Sequence, residues 1–255
     1  MLPSVLAPLR DRPGDTALFV DYDGTLAPIV DDPAGARPVE GVREVLAGLG
    51  RRLAMVVVVS GRPATYLRDH LGTTPGVHLA GLYGMEEVTA EGGVHRSAAA
   101  AGWEPVVTEV ARRASAAAPP GLEVEPKGLS VTLHWRRAPE AEAWATATAR
   151  REASATGLAL QPGRMAVELR PPTGADKGTV VAALGAGHAV VGYFGDDLGD
   201  LPAFDVLATM ALGGTVVARV AVSGGDSPPA VAAAADLVVD GPSVAVELLR
   251  LLAAA

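Results

Sequence analysis

Two aspartates one residue apart, Asp21 and Asp23, close an apolar run and are followed at once by Gly24-Thr25. On an extended chain the side-chain period of two puts both carboxylates on one side. Carboxylates this close repel. They call for a proton, a cation, or a task that needs one of each protonation state. Three further polar groups stand after predicted strands or at a helix start: Ser60-Gly61-Arg62, Lys177-Gly178, and Gly195-Asp196-Asp197-Leu198-Gly199-Asp200. Taken singly, each is more often ordinary structure. An Asp-x-Asp is commonly a turn, a Ser-Gly a helix N-cap, a lone lysine a solvated charge.

Taken together they describe a site. Open α/β sheets bind ligands at the carboxyl edge of their strands. Motifs converging there would gather up to five carboxylates: Asp21, Asp23, Asp196, Asp197 and Asp200. A hard divalent cation with oxygen ligands is the natural compensation, and Mg²⁺ is the expected one. Lys177 adds a second positive charge. Ser60, with backbone N–H groups at a helix start, suits a phosphate. Carboxylates, Mg²⁺, lysine and serine make a phosphoryl-transfer site.

The elements that must position these residues follow from patterning. Thr16–Val20 and the continuous apolar run Leu53–Val59 read as strands covered on both faces. Ala27–Pro38, with three prolines and two more aspartates, reads as a loop or small flap. Val39–Leu49 and Pro63–Leu71 read as helices, and Val77–Ala80 as a short strand. Between about Gly102 and Thr173 the rhythm becomes helix, strand, strand, helix, strand, strand. The helices are Trp103–Ala117 and Ala138–Ala155; the strands are Leu122–Glu125, Leu129–Trp135, Leu158–Gln161 and Met165–Arg170. Beyond Pro171-Pro172 come a helix from Asp176 to Leu184, a buried strand at Ala189–Phe194, and a helix at Leu201–Ala208. Short strands follow at Met210–Leu212 and Val216–Val222. Helix Ala230–Ala235, strand Leu237–Val239 and helix Ser243–Leu252 close the chain. The expected fold is a Rossmann-like, doubly wound parallel α/β sheet formed by residues 1–101 and 174–255. An α+β cap over 102–173 is inserted into it.

Composition sets bounds on partners. The chain has 255 residues, 49% of them apolar, enough for a large core. Net charge is −8 and there is no cysteine. Nucleic-acid binding, disulfides and thiolate metal sites are therefore not expected. The N-terminal apolar stretch is short, carries two prolines and lacks a basic start, and Leu53–Val59 is too short to span a bilayer. A cytoplasmic protein with no membrane partner is the expectation. His70, His95 and His188 read as surface residues.

The order Asp-x-Asp-Gly-Thr, Ser, Lys, Gly-Asp-Asp-x-x-Asp resembles the haloacid dehalogenase (HAD) superfamily of phosphatases. More closely, Phe19–Pro28, Val59–Arg62, Glu125–Arg136, Val167–Pro171 and Asp176–Gly178 resemble the trehalose-6-phosphate phosphatase family. The resemblance implies Asp21 as nucleophile forming an aspartyl-phosphate and Asp23 as acid, then base. It implies Mg²⁺ on Asp21, Asp196 and the Asp23 carbonyl oxygen. Ser60 and Lys177 would hold the phosphoryl oxygens, with Gly61 and Arg62 beside them; Asp197 and Asp200 would orient Lys177 and water on the metal. Glu86 before the cap, and Lys127, His134, Arg136 and Glu168 within it, would bind the sugar. A trehalose-phosphate synthase would be a functional partner. Two positions depart from the family pattern: Tyr83-Gly84-Met85-Glu86 stands where His-Gly-Ala-Glu is usual, and Gly199 where threonine is common. The alternatives are another capped sugar phosphatase (acting on a sucrose, mannosylglycerate or glucosylglycerate phosphate) and a non-catalytic sugar-phosphate sensor.

Overall fold

The structure, a computed structural model, describes residues 2–30, 35–163, 165–224 and 228–254. In chain order the elements are α1 (Ala7–Asp11), β1 (Thr16–Val20), α2 (Val42–Arg52), β2 (Met55–Val59), α3 (Ala64–Leu71), β3 (Val77–Gly81), β4 (Glu86–Val88) and β5 (Val94–Arg96). Next come α4 (Ala98–Ala101), α5 (Glu104–Ala117), β6 (Glu123–Pro126), β7 (Val131–His134), α6 (Glu142–Thr156), β8 (Ala159–Gly163) and β9 (Ala166–Arg170). The chain continues with α7 (Lys177–Gly185), β10 (Val190–Gly195), α8 (Leu201–Leu212), β11 (Val216–Ser223), α9 (Pro229–Ala234), β12 (Leu237–Asp240) and α10 (Gly241–Ala254). Two compact units result, Met1–His95 with Ala175–Ala255, and Arg96–Gly174.

The larger unit is built on an eight-stranded sheet ordered β12-β11-β10-β1-β2-β3-β4-β5. The six strands from β12 to β3 run parallel, and β4 pairs antiparallel with β3. Strand residues alternate between two buried layers, as a sheet covered on both faces requires. Leu18, Val20, Val56 and Val58 pack with the side chains of α2, α3 and α10. Ala17, Phe19, Val57 and Val59 pack with those of α7, α8 and α9. Successive strands spread outward on either side of β1, whose neighbours are β2 and β10. That reversal is the switch point at which a doubly wound sheet opens a crevice.

The smaller unit is a four-stranded antiparallel sheet, ordered β6-β7-β9-β8. Val124, Val131, Leu133, Val167 and Leu169 face α5 and α6 and form its core. The register aligns Glu125 with Thr132, Thr132 with Glu168, and Glu168 with Gln161. One polar residue from each strand therefore stands in a single row on the face opposite the helices.

Several expectations change. The helix expected from Val39 starts at Val42, because Gly41 (φ +82°) breaks the chain ahead of it and Val42 N–H is held in a turn by Val39 O. Met210–Leu212, expected as a strand, is the last turn of α8. Nothing stops that helix before Gly213-Gly214, where the N–H groups turn back onto the carbonyls of residues 209–211. The helix expected from Ala138 begins at Glu142 after a 3₁₀ turn over Pro139–Ala141. Strands β4 and β5 were not anticipated; they are short and charged, and a turn at Thr89–Gly93 joins them. Of the loop expected over Ala27–Pro38, residues 31–34 lie outside the described residues.

Lys177 opens α7, and Asp176 caps it: its carboxylate accepts from Thr179 N–H at 2.7 Å, while the Thr179 hydroxyl accepts from Asp176 N–H at 3.0 Å. Both orphan donors of the first turn are thereby satisfied. Asp176→Ala should lower stability by about 1 kcal/mol, measured by chemical denaturation; no loss would mean that the cap is not what fixes this helix start.

Candidate active site

Three adjacent strands end together. Asp21 follows β1, Asp196 follows β10 and Ser60 follows β2. The ladder continues into the site, with Asp21 N–H donating to Phe194 O and Ser60 N–H to Ala80 O. Carboxylate oxygens of Asp21, Asp196 and Asp200 lie within 4.8 Å of one another, and all three residues are buried. Lys177 Nζ reaches in from the start of α7, at 2.9 Å from Asp21 Oδ1 and 2.7 Å from Asp200 Oδ1.

Asp200 is completely buried and its two oxygens are fully engaged. Oδ1 accepts from Lys177 Nζ and, at 2.6 Å, from the Tyr193 hydroxyl; Oδ2 accepts from the N–H groups of Asp196 and Asp197. Burial opposes its charge, yet Lys177 and these donors outweigh it and hold Asp200 below the ordinary carboxylate range. Asp200 therefore fixes the lysine and the loop after β10. Removing it would take away one of the two close carboxylates of the buried ammonium and leave the N–H groups of Asp196 and Asp197 without their acceptor.

The other two carboxylates are under-compensated. Burial pushes Asp21 well above the usual range, despite Lys177. It pushes Asp196 up to about 10, with Asp21, Asp200 and Asp197 adding repulsion. Among the described residues, the buried Asp196 Oδ1 has no hydrogen-bond partner, an expensive state for an acceptor. One ammonium cannot balance three carboxylates. The charge deficit, the oxygen donor set and the orphaned oxygen together fit a hard cation held by Asp21 and Asp196. Gly24 completes this cradle. It sits at φ +77°, and a Cβ there would stand 2.0 Å from Asp196 Oδ2, so only glycine fits.

Asp23 points away from this cluster. Both its oxygens accept from Arg62, Oδ1 from Nη2 at 2.7 Å and Oδ2 from Nε at 2.8 Å. Arg62, expected near the phosphate, thus grips Asp23 while its guanidinium carbon lies 4.6 Å from the centre of the Tyr66 ring. His70, expected at the surface, is half-buried and stacked on Tyr66 with ring centres 4.1 Å apart. Ser60 is buried, and its hydroxyl oxygen accepts from Arg62 N–H at 3.1 Å. Asp197 is mostly exposed and 3.9 Å from Lys177; its Oδ1 accepts from Gly199 N–H and stiffens its own loop.

Glu86 is buried and accepts from Ala64 N–H at 3.0 Å, so it caps α3 from β4. Just before it, Leu82 and Tyr83 take left-handed backbone angles, φ 48° and 60°, which non-glycine residues avoid. This turn lays the Tyr83 hydroxyl over Gly61, 2.6 Å from where a Cβ would stand.

On the small sheet, the polar row is knitted together. Lys127 Nζ lies 3.5 Å from Glu125 Oε2 and 3.6 Å from Glu168 Oε1. Ser130 donates to Glu168 Oε1 at 2.6 Å, and His134 Nε2 meets Glu125 Oε2 at 2.9 Å. Lys127, His134 and Glu168 thus come together. Arg136 does not join the strand, because β7 ends at His134 and Arg136 stands in the following turn. Sequence reasoning missed Thr132, whose buried hydroxyl has no hydrogen-bond partner among the described residues. Its alternation with Val131 and Leu133 was the signal that could have found it.

Comparison with known proteins agrees with this geometry. A family model described as trehalose-phosphatase matches residues 19–237. A trehalose-phosphate phosphatase of Mycobacterium avium is 38% identical over 201 residues, covering 75% of this chain and 51% of that protein. The chain thus spans about half the length of the curated relatives it matches. In fold it is similar to the C-terminal domain of the trehalose-6-phosphate phosphatase of C. albicans (TM-score 0.78, 23% identity, 100% and 99% of the two chains). It is similar too to the Aspergillus fumigatus trehalose-6-phosphate phosphatase (TM-score 0.64, 26% identity, 97% of each). With its core motifs at one strand edge and the family match running across both units, this chain belongs to the trehalose-phosphatase family.

Proposed function

We propose that this chain hydrolyses trehalose 6-phosphate to trehalose and phosphate, with Mg²⁺ as cofactor. The observation that carries the reading is the buried Asp21–Lys177–Asp200 cluster beside the orphaned Asp196 oxygen. The shorter unit, taken as a cap over about residues 102–173, would select the sugar. A cytoplasmic setting and a trehalose-phosphate synthase as functional partner go with this reading.

Asp21 Oδ attacks phosphorus as the bond from phosphorus to the sugar oxygen breaks, giving an aspartyl-phosphate. Asp23 hands a proton to the departing sugar oxygen. It then takes one from the water that attacks phosphorus and releases Asp21. To act as a donor, Asp23 needs one oxygen back from Arg62, and an incoming phosphate dianion offers the guanidinium a second anion to bind. Lys177 and Ser60 steady the phosphoryl oxygens. Asp21, Asp196 and the Asp23 carbonyl oxygen would hold Mg²⁺, which would supply the positive charge that lets an anionic nucleophile meet an anionic phosphate. Asp200 and Asp197 set the lysine and its loop. Gly61 and Arg62 border the phosphate, and Glu86, Lys127, His134, Arg136 and Glu168 engage the sugar hydroxyls, with charged groups giving strong directional bonds.

One observation favours a second reading, a capped phosphatase for another sugar phosphate. Tyr83, held over Gly61 by a strained turn, stands where the family usually has histidine.

Asp21→Asn should cut phosphate release from trehalose 6-phosphate by about a thousandfold or more; release that survives unchanged would sink the nucleophile. Glu168→Gln should raise KM for trehalose 6-phosphate about tenfold while sparing 4-nitrophenyl phosphate, as steady-state kinetics on both substrates would reveal. The raised carboxyls also make metal binding pH-dependent. A folded-state value above the unfolded one favours the metal-free fold below about pH 4 and weakens it as pH rises toward that folded value. A cation must displace those protons, so its affinity climbs with pH. The gain in Tm on adding Mg²⁺ should therefore be larger at about pH 8 than at about pH 6, by thermal melting; an equal gain at both would contradict a site on Asp21 and Asp196.

A further inference from the structure

Asp23 must be aimed as well as protonated, and two nitrogens of Arg62 grip its carboxylate. A guanidinium is planar with a fixed fork, so the plane it adopts decides where the carboxylate it grips can lie. That plane rests on Tyr66, 4.6 Å from the ring centre.

Tyr66 is itself held on every side. His70, one turn on along α3, stacks behind it, and Tyr22, fully buried between the two active-site aspartates in sequence, meets it edge-on with ring centres 5.7 Å apart. The Tyr66 hydroxyl donates to Ala36 O at 2.7 Å, and His70 Nδ1 lies 2.8 Å from Tyr66 O. The result is a column, Asp23–Arg62–Tyr66–His70, in which each group leans on the next. A guanidinium over an aromatic face is attracted to it and loses freedom to swing.

We propose that Tyr66 is a positioning residue for the reaction: its ring carries Arg62, and through Arg62 it sets the aim of Asp23 toward the leaving oxygen. This rests on the phosphatase reading and adds a residue to it.

The test separates aim from general damage through the leaving group. A sugar oxygen needs a proton to depart, whereas 4-nitrophenolate leaves without one. With Mg²⁺ present, Tyr66→Leu should lower kcat/KM for trehalose 6-phosphate about tenfold and that for 4-nitrophenyl phosphate less than about twofold. Tyr66→Phe keeps the ring and loses only the bond to Ala36, so it should stay within about twofold of the unsubstituted chain on both. Equal losses on the two substrates, no loss at all, or a Tyr66→Phe variant as impaired as Tyr66→Leu would each overturn the proposal. Should Tyr66→Leu fail to fold, Tyr66→Met offers a second side chain without a ring face. If the unsubstituted chain spares trehalose 6-phosphate, the substrate reading fails by itself. Tyr66 is then judged in the same way on whichever alkyl phosphate the chain does hydrolyse, since every such leaving oxygen needs the proton.

Discussion

A single buried ammonium sits among three buried carboxylates. Lys177 bonds to Asp21 and Asp200, and the strand ends, the loop after β10 and the start of α7 are all arranged so that it can. Removing charges from water is costly, and one lysine does not offset three acids. The fold resolves part of this by giving Asp200 four donors, which makes its charge affordable. It leaves the remainder unresolved at Asp21 and Asp196. A site that is electrostatically incomplete by itself is one that a cation and a phosphate can complete together.

Asp21 and Asp23 stand in different surroundings. They are two residues apart, yet one is sealed next to Lys177 while the other is partly open and held by Arg62. Two carboxylates with different partners can carry different charges at one pH. The tight turn at Gly24 lets Asp196 close in behind them.

Much of this could be read in the sequence because local chemistry encodes it. The β-branched run Val56–Val59 could hardly be anything but a doubly covered strand, and the Asp-x-Asp after β1 announced the edge where ligands collect. What stayed hidden depends on contacts distant in sequence. Arg62 lies 39 residues from the Asp23 it grips, so its type suggested a phosphate ligand and not a partner for the acid. Glu86 was read as a sugar ligand, and its cap on α3 was hidden because it exists only once β4 folds against β3. The hairpin β4–β5 was invisible because its strands are short and charged. Met210–Leu212 has an apolar run that suits strand or helix equally, and only the continuity of α8 decides it.

The small antiparallel sheet has a consequence for how such a protein can change over generations. Its period of two sends Val131, Leu133, Val167 and Leu169 into the core and Thr132, Glu168 and Gln161 to the opposite face. The apolar core and the polar row are thus written on interleaved positions of the same strands, with little overlap between them. If the polar row reads the sugar, a lineage can try new substrates one strand at a time, by replacing residues whose loss the hydrophobic layer does not feel. Asp21, Ser60, Lys177 and Asp196, encoded in separate stretches of chain, need not be touched while it does so.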